Sequence, residues 1–146
     1  MKIGILGTGM VAKALAAKLS AIGHQVMIGT RDVDKTQERS ETDAYGNPPF
    51  SEWRKNHSKV KLENFSDAAE FGELVINATA GGASLMALQM AGHSHLKGKI
   101  LIDVANPLDF SEEGPPTLLV CNTDSLAEQI QRALPETKVV KTLNTL

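Results

Sequence analysis

Cysteine is nearly missing from this chain: Cys121 stands alone among 146 residues. An internal disulfide framework is therefore excluded, and a reducing, cytoplasmic setting is expected. Aromatic residues make up 4% of the chain, so the core must be built from aliphatic side chains. No apolar run reaches the length of a membrane span. Positive charge is not in excess: the formal net charge of −2 argues against a nucleic-acid partner or an anionic membrane surface. Metal-ligand spacing is missing too. His93 and His95 lie two apart in a stretch expected to be a polar loop, with no Cys or acid at ligand distance along the chain. Ser84 has no G-x-S-x-G elbow around it. Cys121 ends the apolar run Thr117–Cys121 and reads as a buried small hydrophobe rather than a nucleophile. No acid–base dyad stands out.

What the chain does have is concentrated in its first 31 residues. An apolar strand, Met1–Leu6, runs into Gly7-Thr8-Gly9-Met10-Val11-Ala12, the pattern G-x-G-x-x-A. The letters alone are weak evidence. Their place between a strand and a helix is the context a dinucleotide loop requires. The first glycine permits the tight turn, the second lets backbone approach a pyrophosphate, and the small third residue allows close helix–strand packing. The helix N-terminus then presents free N–H groups and a positive dipole end. The glycines inside the Ile3–Val11 run, and the helical pattern that continues beyond it, argue against a secretory signal. Val11, Leu15, Leu19 and Ile22 recur at helical spacing and are expected to form the buried face. Gly23 stands where a left-handed C-cap would sit, and His24–Ile28 reads as the second strand.

The tip of that second strand bears on cofactor choice. An NAD site usually places Asp or Glu there for the ribose 2′-hydroxyl. Here the tip is Thr30-Arg31, a hydroxyl and a guanidinium, which suit a 2′-phosphate. Lys35 follows four residues later and could add a second cation. Asp32 could serve as the NAD acid if the strand runs further, but its simpler part is N-cap of a Val33–Arg39 helix. NADP is favoured over NAD.

Beyond this unit the chain keeps alternating. A short helix is expected at Phe50–His57, with Phe50 and Trp53 on one face, and a strand at Lys59–Leu62. Ser66-Asp67 is expected to cap an Ala68–Phe71 helix. Leu74–Ala78 and Lys99–Val104 read as buried strands. Between them, Ser84–Met90 reads as a helix with Leu85, Leu88 and one of Met86 or Met90 inward. Ser125 and Glu128 form a capping box ahead of a helix facing inward through Leu126, Ile130 and Leu134, and Pro135 ends it. Lys138–Leu143 is the last strand. The β-α-β order implies an α/β fold, a doubly wound parallel sheet of the Rossmann NAD(P)-binding type, in one domain over residues 1–146. Ligands of such sheets bind at the carboxyl ends of the strands. That rule adds Ala78, Thr79 and Ala80, whose small side chains and hydroxyl could meet ribose and nicotinamide. It also adds Asn106, which could orient a carboxamide or form an Asx-turn before Pro107. Gly81 and Gly82 fit either ligand approach or turn geometry.

Gly7-Thr-Gly-Met-Val, Gly29-Thr-Arg-Asp with Lys35, Asn106-Pro-Leu, Ser125-Leu-Ala-Glu and Val139-Val-Lys-Thr-Leu-Asn-Thr145 together resemble the NADPH-dependent deazaflavin (coenzyme factor-420) reductase family. The N-terminal domain of STEAP-type ferric reductases is similar. The resemblance implies an NADP oxidoreductase, with the counterparts of Thr8, Met10, Val11, Thr30, Arg31 and Lys35 on NADP. Hydride would pass directly to a deazaflavin, a flavin or a related small-molecule electron acceptor. It implies no catalytic base, in keeping with the missing dyad, since such a transfer needs placement more than protein acids. It also implies a homodimer. The family's C-terminal segment, which helps close the acceptor site, is expected to be absent, and a proline common near Ala80 is replaced by Ala-Thr-Ala-Gly-Gly. A non-catalytic NADP-binding or redox-sensing module is the alternative reading.

Overall fold

The computed structural model describes residues 1–43 and 45–143. In chain order the elements are β1 (Lys2–Leu6), α1 (Met10–Ala21), β2 (Gln25–Thr30), α2 (Val33–Glu38), α3 (Phe50–Lys55), β3 (Lys61–Asn64) and α4 (Phe65–Phe71). There follow β4 (Leu74–Asn77), α5 (Ser84–Ala91), α6 (His93–Leu96), β5 (Ile100–Asp103), β6 (Leu108–Asp109), β7 (Thr117–Leu118), α7 (Leu126–Ala133) and β8 (Lys138–Lys141). Six strands form one parallel sheet in the order β3-β2-β1-β4-β5-β8. This is the doubly wound Rossmann arrangement expected from the alternation.

Both faces of the sheet are covered, so successive residues of a strand enter different cores. Ile3 and Ile5 of β1, Val26 and Ile28 of β2 and Ile76 of β4 pack with Ala12 and Ala16 of α1 and with Phe50. Leu6, Met27, Val75 and Leu101 point to the other face and pack with Phe65, Ala68, Leu88 and Ile130. This two-sided burial explains the near-continuous apolar runs of these strands. On the second face α4 lies very close to the sheet. A Cβ built on Gly4 would stand 2.1 Å from the Ala68 carbonyl oxygen, and one on Gly29 would stand 2.9 Å from the Ala68 Cβ.

Several local features follow the sequence. Gly23 adopts φ 99°, and its N–H donates to the Ser20 carbonyl while His24 N–H donates to Leu19, a Schellman closure of α1. Asp32 Oδ1 accepts from the Lys35 N–H at 3.0 Å, the N-cap of α2. Ser125 Oγ accepts from the Glu128 N–H at 3.2 Å, but the reciprocal half of the box is different, since Ser125 N–H donates to Asp124 Oδ1.

Other features differ. The buried face of α1 is Ala12 and Ala16, with Leu15 and Leu19 only half-buried. Val11 and Ile22 are 47% and 59% exposed, because contact with a parallel sheet selects small residues over large ones. Asn64, not Ser66-Asp67, caps α4: its side chain accepts from the Asp67 N–H at 2.9 Å. In α5 the inward residues are Ala87, Leu88 and Ala91, while Leu85, Met86 and Met90 are exposed. His93 and His95 lie in α6 rather than in a loop, and Cys121 is exposed rather than buried. β6 and β7 pair as an antiparallel ribbon outside the main sheet, through Leu108 with Leu118 and Asp109 with Thr117.

The close approach of α4 makes a specific demand. Gly4→Ala is expected to lower stability by roughly 1–3 kcal/mol, since the clash is with backbone that cannot rotate away. Urea unfolding measures this, and an unchanged midpoint would mean that α4 is free to lift from β1.

Candidate functional site

All six strands of the main sheet run the same way, so their carboxyl ends share one edge. β1 sits between β2 and β4, and the chain turns in opposite directions on either side of it. A crevice opens at such a switch point. Gly7 makes the turn out of β1 with φ 115°, and a Cβ there would lie 2.5 Å from the Ala78 carbonyl oxygen. Gly9, the N-cap of α1, has extended backbone, and a Cβ there would meet nothing within 4 Å. The two glycines thus have separate duties. Gly7 is required by the fold, and Gly9 keeps a space clear beside the helix.

The N-terminus of α1 has no side-chain cap and no acid in its first turn. Side-chain caps stand at α2, α4 and α7, from Asp32, Asn64 and Ser125, while α3, α5 and α6 have none either. The first N–H groups of a helix lack partners within it, so this end is left with donors and a positive dipole facing the crevice. Three adjoining hollows surround it. One of about 390 Å³ is bordered by Gly7, Thr8, Gly9, Arg31, Ala78, Thr79 and Ala80, with Phe65, Met86 and Met90 as an apolar wall. One of about 410 Å³ lies over Thr30, Arg31, Asp32, Lys35 and Thr36. A third of about 220 Å³ lies between Gly9, Lys13, Glu41, Asp43 and Pro48.

The polar side chains are not equally free. Thr36 Oγ1 donates to the Asp32 carbonyl at 2.8 Å and lies 2.8 Å from Thr30 Oγ1. A hydroxyl has one hydrogen, so Thr30 donates to Thr36 and keeps only lone pairs. Buried Thr30 therefore ties the strand tip to α2 and is not a phosphate donor in this geometry. Asp32 is committed as a cap, and the Lys35 backbone N–H it accepts holds its carboxyl below the usual range. The Lys35 ammonium is 81% exposed and 3.5 Å from Asp32 Oδ2. Arg31 is exposed and forms no ion pair among the described residues. Arg39, at the end of α2, borders all three hollows and was not singled out from the sequence. The signal was there: Arg31, Lys35 and Arg39 recur every four residues. Lys13, buried in α1, was also unforeseen; its ammonium donates to the Pro48 carbonyl at 2.9 Å and holds the 40s connection over the loop.

At the exits of β4 and β5 a buried polar junction replaces the expected open arrangement. Asn77 Nδ2 donates to Asp103 Oδ1 at 2.8 Å and to Ser84 Oγ at 3.0 Å. Thr79 Oγ1 donates to Asn77 Oδ1 at 2.7 Å, so its hydroxyl is turned inward. Lys141 Nζ reaches Asp103 Oδ2 at 3.1 Å and also the Ala105 carbonyl. Gly81 packs against the Asn106 backbone, where a Cβ would lie 2.3 Å from the Asn106 oxygen, so close chain packing accounts for this glycine. Asn106 is not among the residues that border the hollow at the glycine loop. It borders a separate cavity of about 510 Å³ with Leu108, Leu118, Cys121, Ser125 and Lys141. Asn144 and Thr145, part of the last motif, lie outside the described residues.

The family described as NADP oxidoreductase, coenzyme F420-dependent, matches residues 2–107 of this chain. The chain belongs to that family. Among curated family members, the F420-dependent NADP reductase of Methanothermobacter marburgensis is 30% identical over 150 residues, covering 100% of this chain and 64% of that protein. A crystal structure of a provisionally named F420-dependent NADP-reductase from Arthrobacter sp. FB24 superposes with a TM-score of 0.94 at 55% identity, over 100% of this chain and 64% of that one. This member of the family thus spans under two thirds of the length of both. An imine reductase of Streptomyces aurantiacus shares the fold, with a TM-score of 0.62 at 17% identity over 97% of this chain and 39% of its own. The likeness to the Arthrobacter structure thus extends over the whole chain and not only the glycine loop.

Two substitutions separate structural duties at this edge. Gly7→Ala is expected to cost about 1–3 kcal/mol in chemical denaturation, while Gly9→Ala leaves the midpoint in place. Lys141→Ala leaves the fully buried Asp103 carboxylate without its cation. The expected cost is roughly 2–3 kcal/mol, below that of a fully buried pair because Lys141 is 27% exposed. Full stability in that variant would show that water reaches Asp103.

Proposed function

We propose that this chain binds NADP(H) at the crevice beside β1 and serves hydride exchange between NADPH and a deazaflavin of the coenzyme F420 type. The observation that carries the reading is the pairing of an uncapped α1 N-terminus with the open space at Gly9, one strand from the guanidiniums of Arg31 and Arg39, which form no ion pair among the described residues. That is a cradle for one pyrophosphate and one further phosphate, and no acid stands at the strand tip to hold a 2′-hydroxyl instead. Membership in the family, and the names carried by the relatives from M. marburgensis and Arthrobacter, support the same substrates.

In this reading NADPH supplies the hydride. The chain's own part is placement. Backbone N–H groups of Thr8, Gly9, Met10 and Val11 face the pyrophosphate. Arg31 faces the 2′-phosphate, with Thr30 holding the strand tip in place and Lys35 adding outer positive charge. Ala78, Thr79 and Ala80 leave room for ribose and the ring, and Met86 and Met90 exclude water along the apolar wall. The larger cavity next to Asn106 gives the acceptor a position at the β5 exit. A reaction of this kind needs closeness and orientation of two rings, not a protein acid.

Residues 1–146 read as a single nucleotide-binding domain, because one sheet carries both cores. A cytoplasmic homodimer acting on small molecules, without nucleic acid, completes the proposal. The net charge of −2 and the exposed apolar side chains of Phe110, Leu118 and Leu119 support it, and no described helix is long and apolar enough to cross a membrane.

Mixing the protein with NADPH and oxidised coenzyme F420 is expected to consume NADPH only when the acceptor is present. Tight nucleotide binding without turnover would instead favour a sensing module. Arg31→Ala is expected to weaken NADPH binding by roughly 1.5–3 kcal/mol and NADH binding much less, by calorimetry. Equal losses would reject the 2′-phosphate role. Gly9→Val is expected to abolish binding of both nucleotides in a protein that still unfolds cooperatively at the wild-type midpoint.

A further inference from the structure

We propose that Lys141 is the cation that meets the hydride acceptor, and that the cavity beside Asn106 takes the pyrimidinedione edge of a ring that turns anionic on accepting hydride. The proposal rests on the hydride-exchange reading above and deepens it with a residue and the ligand edge that residue faces. Lys141 ends β8, in register with Asp103 of β5. Its ammonium carries three protons. One goes to Asp103 Oδ2 at 3.1 Å and one to the Ala105 carbonyl. The third meets no acceptor among the described residues, and Lys141 borders the cavity of about 510 Å³. Asp103 is fully buried and does not border that cavity, so its carboxylate stands behind the ammonium as seen from the cavity. It also accepts from Asn77 Nδ2 and from the Ala105 N–H, so its charge is shared among three donors. A ligand oxygen in the cavity therefore meets the cation at closer range than the anion.

Asn106 stands beside this lysine, since Lys141 Nζ bonds the carbonyl of the residue before it, and both border the same cavity. A side-chain amide offers a donor and an acceptor in one plane, and the ammonium adds a charged donor. The edge of a pyrimidinedione has the matching pattern of carbonyl, N–H and carbonyl. The other ionisable groups at the cavity are Asp124 and Cys121. Asp124 is taken up by Arg132 Nη2 at 2.7 Å, Gln129 Nε2 at 3.1 Å and the Ser125 N–H at 3.0 Å, and Cys121 is an exposed thiol. The charge that Lys141 meets arises in the transfer itself. A hydride leaves C4 of the dihydronicotinamide with its electron pair and bonds to C5 of the oxidised deazaflavin, leaving NADP⁺. The displaced pair moves through the ring to the N1–C2=O unit, which is anionic until N1 takes a proton from water. Protein charge near N1 is one of the means by which such a ring is tuned. Lys141 gives up no proton; it stays charged and steadies the anion.

The test compares wild type with Lys141→Arg and with the double variant Asp103→Asn/Lys141→Met, which removes the cation without leaving a buried carboxylate unpaired. Urea unfolding checks the fold, and calorimetry with NADPH checks the nucleotide site. The double variant is expected to lose about tenfold or more in kcat with oxidised coenzyme F420, while NADPH affinity changes by less than about twofold. Lys141→Arg is expected to fall between the two. Absorbance titration of bound, reduced coenzyme F420 reads the ionisation of N1 directly. It is expected to lie lower on wild type than in free solution, and to rise by about one pH unit or more in the double variant. A lysine with only a structural part would leave that ionisation where it is. Unchanged kcat, an unmoved N1 ionisation, or an equal loss of NADPH binding in the double variant overturns the proposal. So does a wild-type N1 ionisation no lower than that of the free ring, a result that stands even where the double variant fails to fold. Turnover in wild type with any of these results removes this proposal alone. A wild-type protein that neither binds nor reduces coenzyme F420 removes the hydride-exchange reading with it.

Discussion

β1 is hydrogen-bonded to β2 along one side and to β4 along the other, and the helices that follow these strands must cross to opposite faces. The chain therefore cannot close over the end of β1, and the gap is set by topology before any side chain is chosen. What the sequence does at that gap is leave things out. A Cβ is missing at Gly9, a cap is missing at α1, and an acid is missing at the tip of β2. Each omission would be a small defect in a protein that bound nothing there. A glycine at the N-cap in place of Ser, Thr, Asn or Asp forfeits about a few tenths of a kcal/mol. Three such omissions around one crevice make sense when a polyanion supplies what the chain withholds.

The opposite holds one strand further along. Between β4, β5 and β8 the edge is filled from within by Asn77, Thr79, Ser84, Asp103 and Lys141, and among the described residues no buried side-chain polar atom lacks a partner. Such a junction adds little net stability over an apolar core of the same volume, because desolvation offsets the Coulombic gain. Its effect is directional. Asp103 can satisfy Asn77, Ala105 N–H and Lys141 only when the three strand exits are in one register. The junction thus aligns the floor on which a ring would rest, and it keeps Thr79 from serving as a free donor.

Much of this was legible in the sequence wherever one residue has one local job. Gly23 closes α1, Asp32 and Ser125 start α2 and α7, and the apolar runs of β1, β4 and β5 are long and unbroken. The misses came where tertiary contact outranks local pattern. Val11 and Ile22 fit the helical period, yet the sheet accepts Ala12 and Ala16, since close helix–strand packing favours small side chains. Met86 and Met90 are apolar but border the crevice, as an apolar wall must. Asn64 ends β3 and caps α4 at once, a double duty that spacing rules cannot see because they assign each residue to one element. Cys121 follows an apolar run yet is exposed, because that run continues a two-stranded ribbon beside the sheet rather than a strand within it.

The electrostatics of α2 show why a charge pattern must be read with its hydrogen bonds. Arg31, Lys35 and Arg39 look equivalent along the chain, but Asp32 makes them unequal. Its carboxylate caps the helix through the Lys35 N–H and thereby stands next to the Lys35 ammonium, whose attraction for another anion is partly answered. The pair is exposed, so the interaction is weak and screened by salt. It still matters, because any anion approaching this face meets Asp32 as well as Lys35, and the two largely cancel at a distance. Arg31 and Arg39 form no ion pair among the described residues, although Glu41 and Asp43 border one of the hollows that Arg39 lines. The acid that starts the helix therefore also settles which of the nearby cations has a carboxylate beside it.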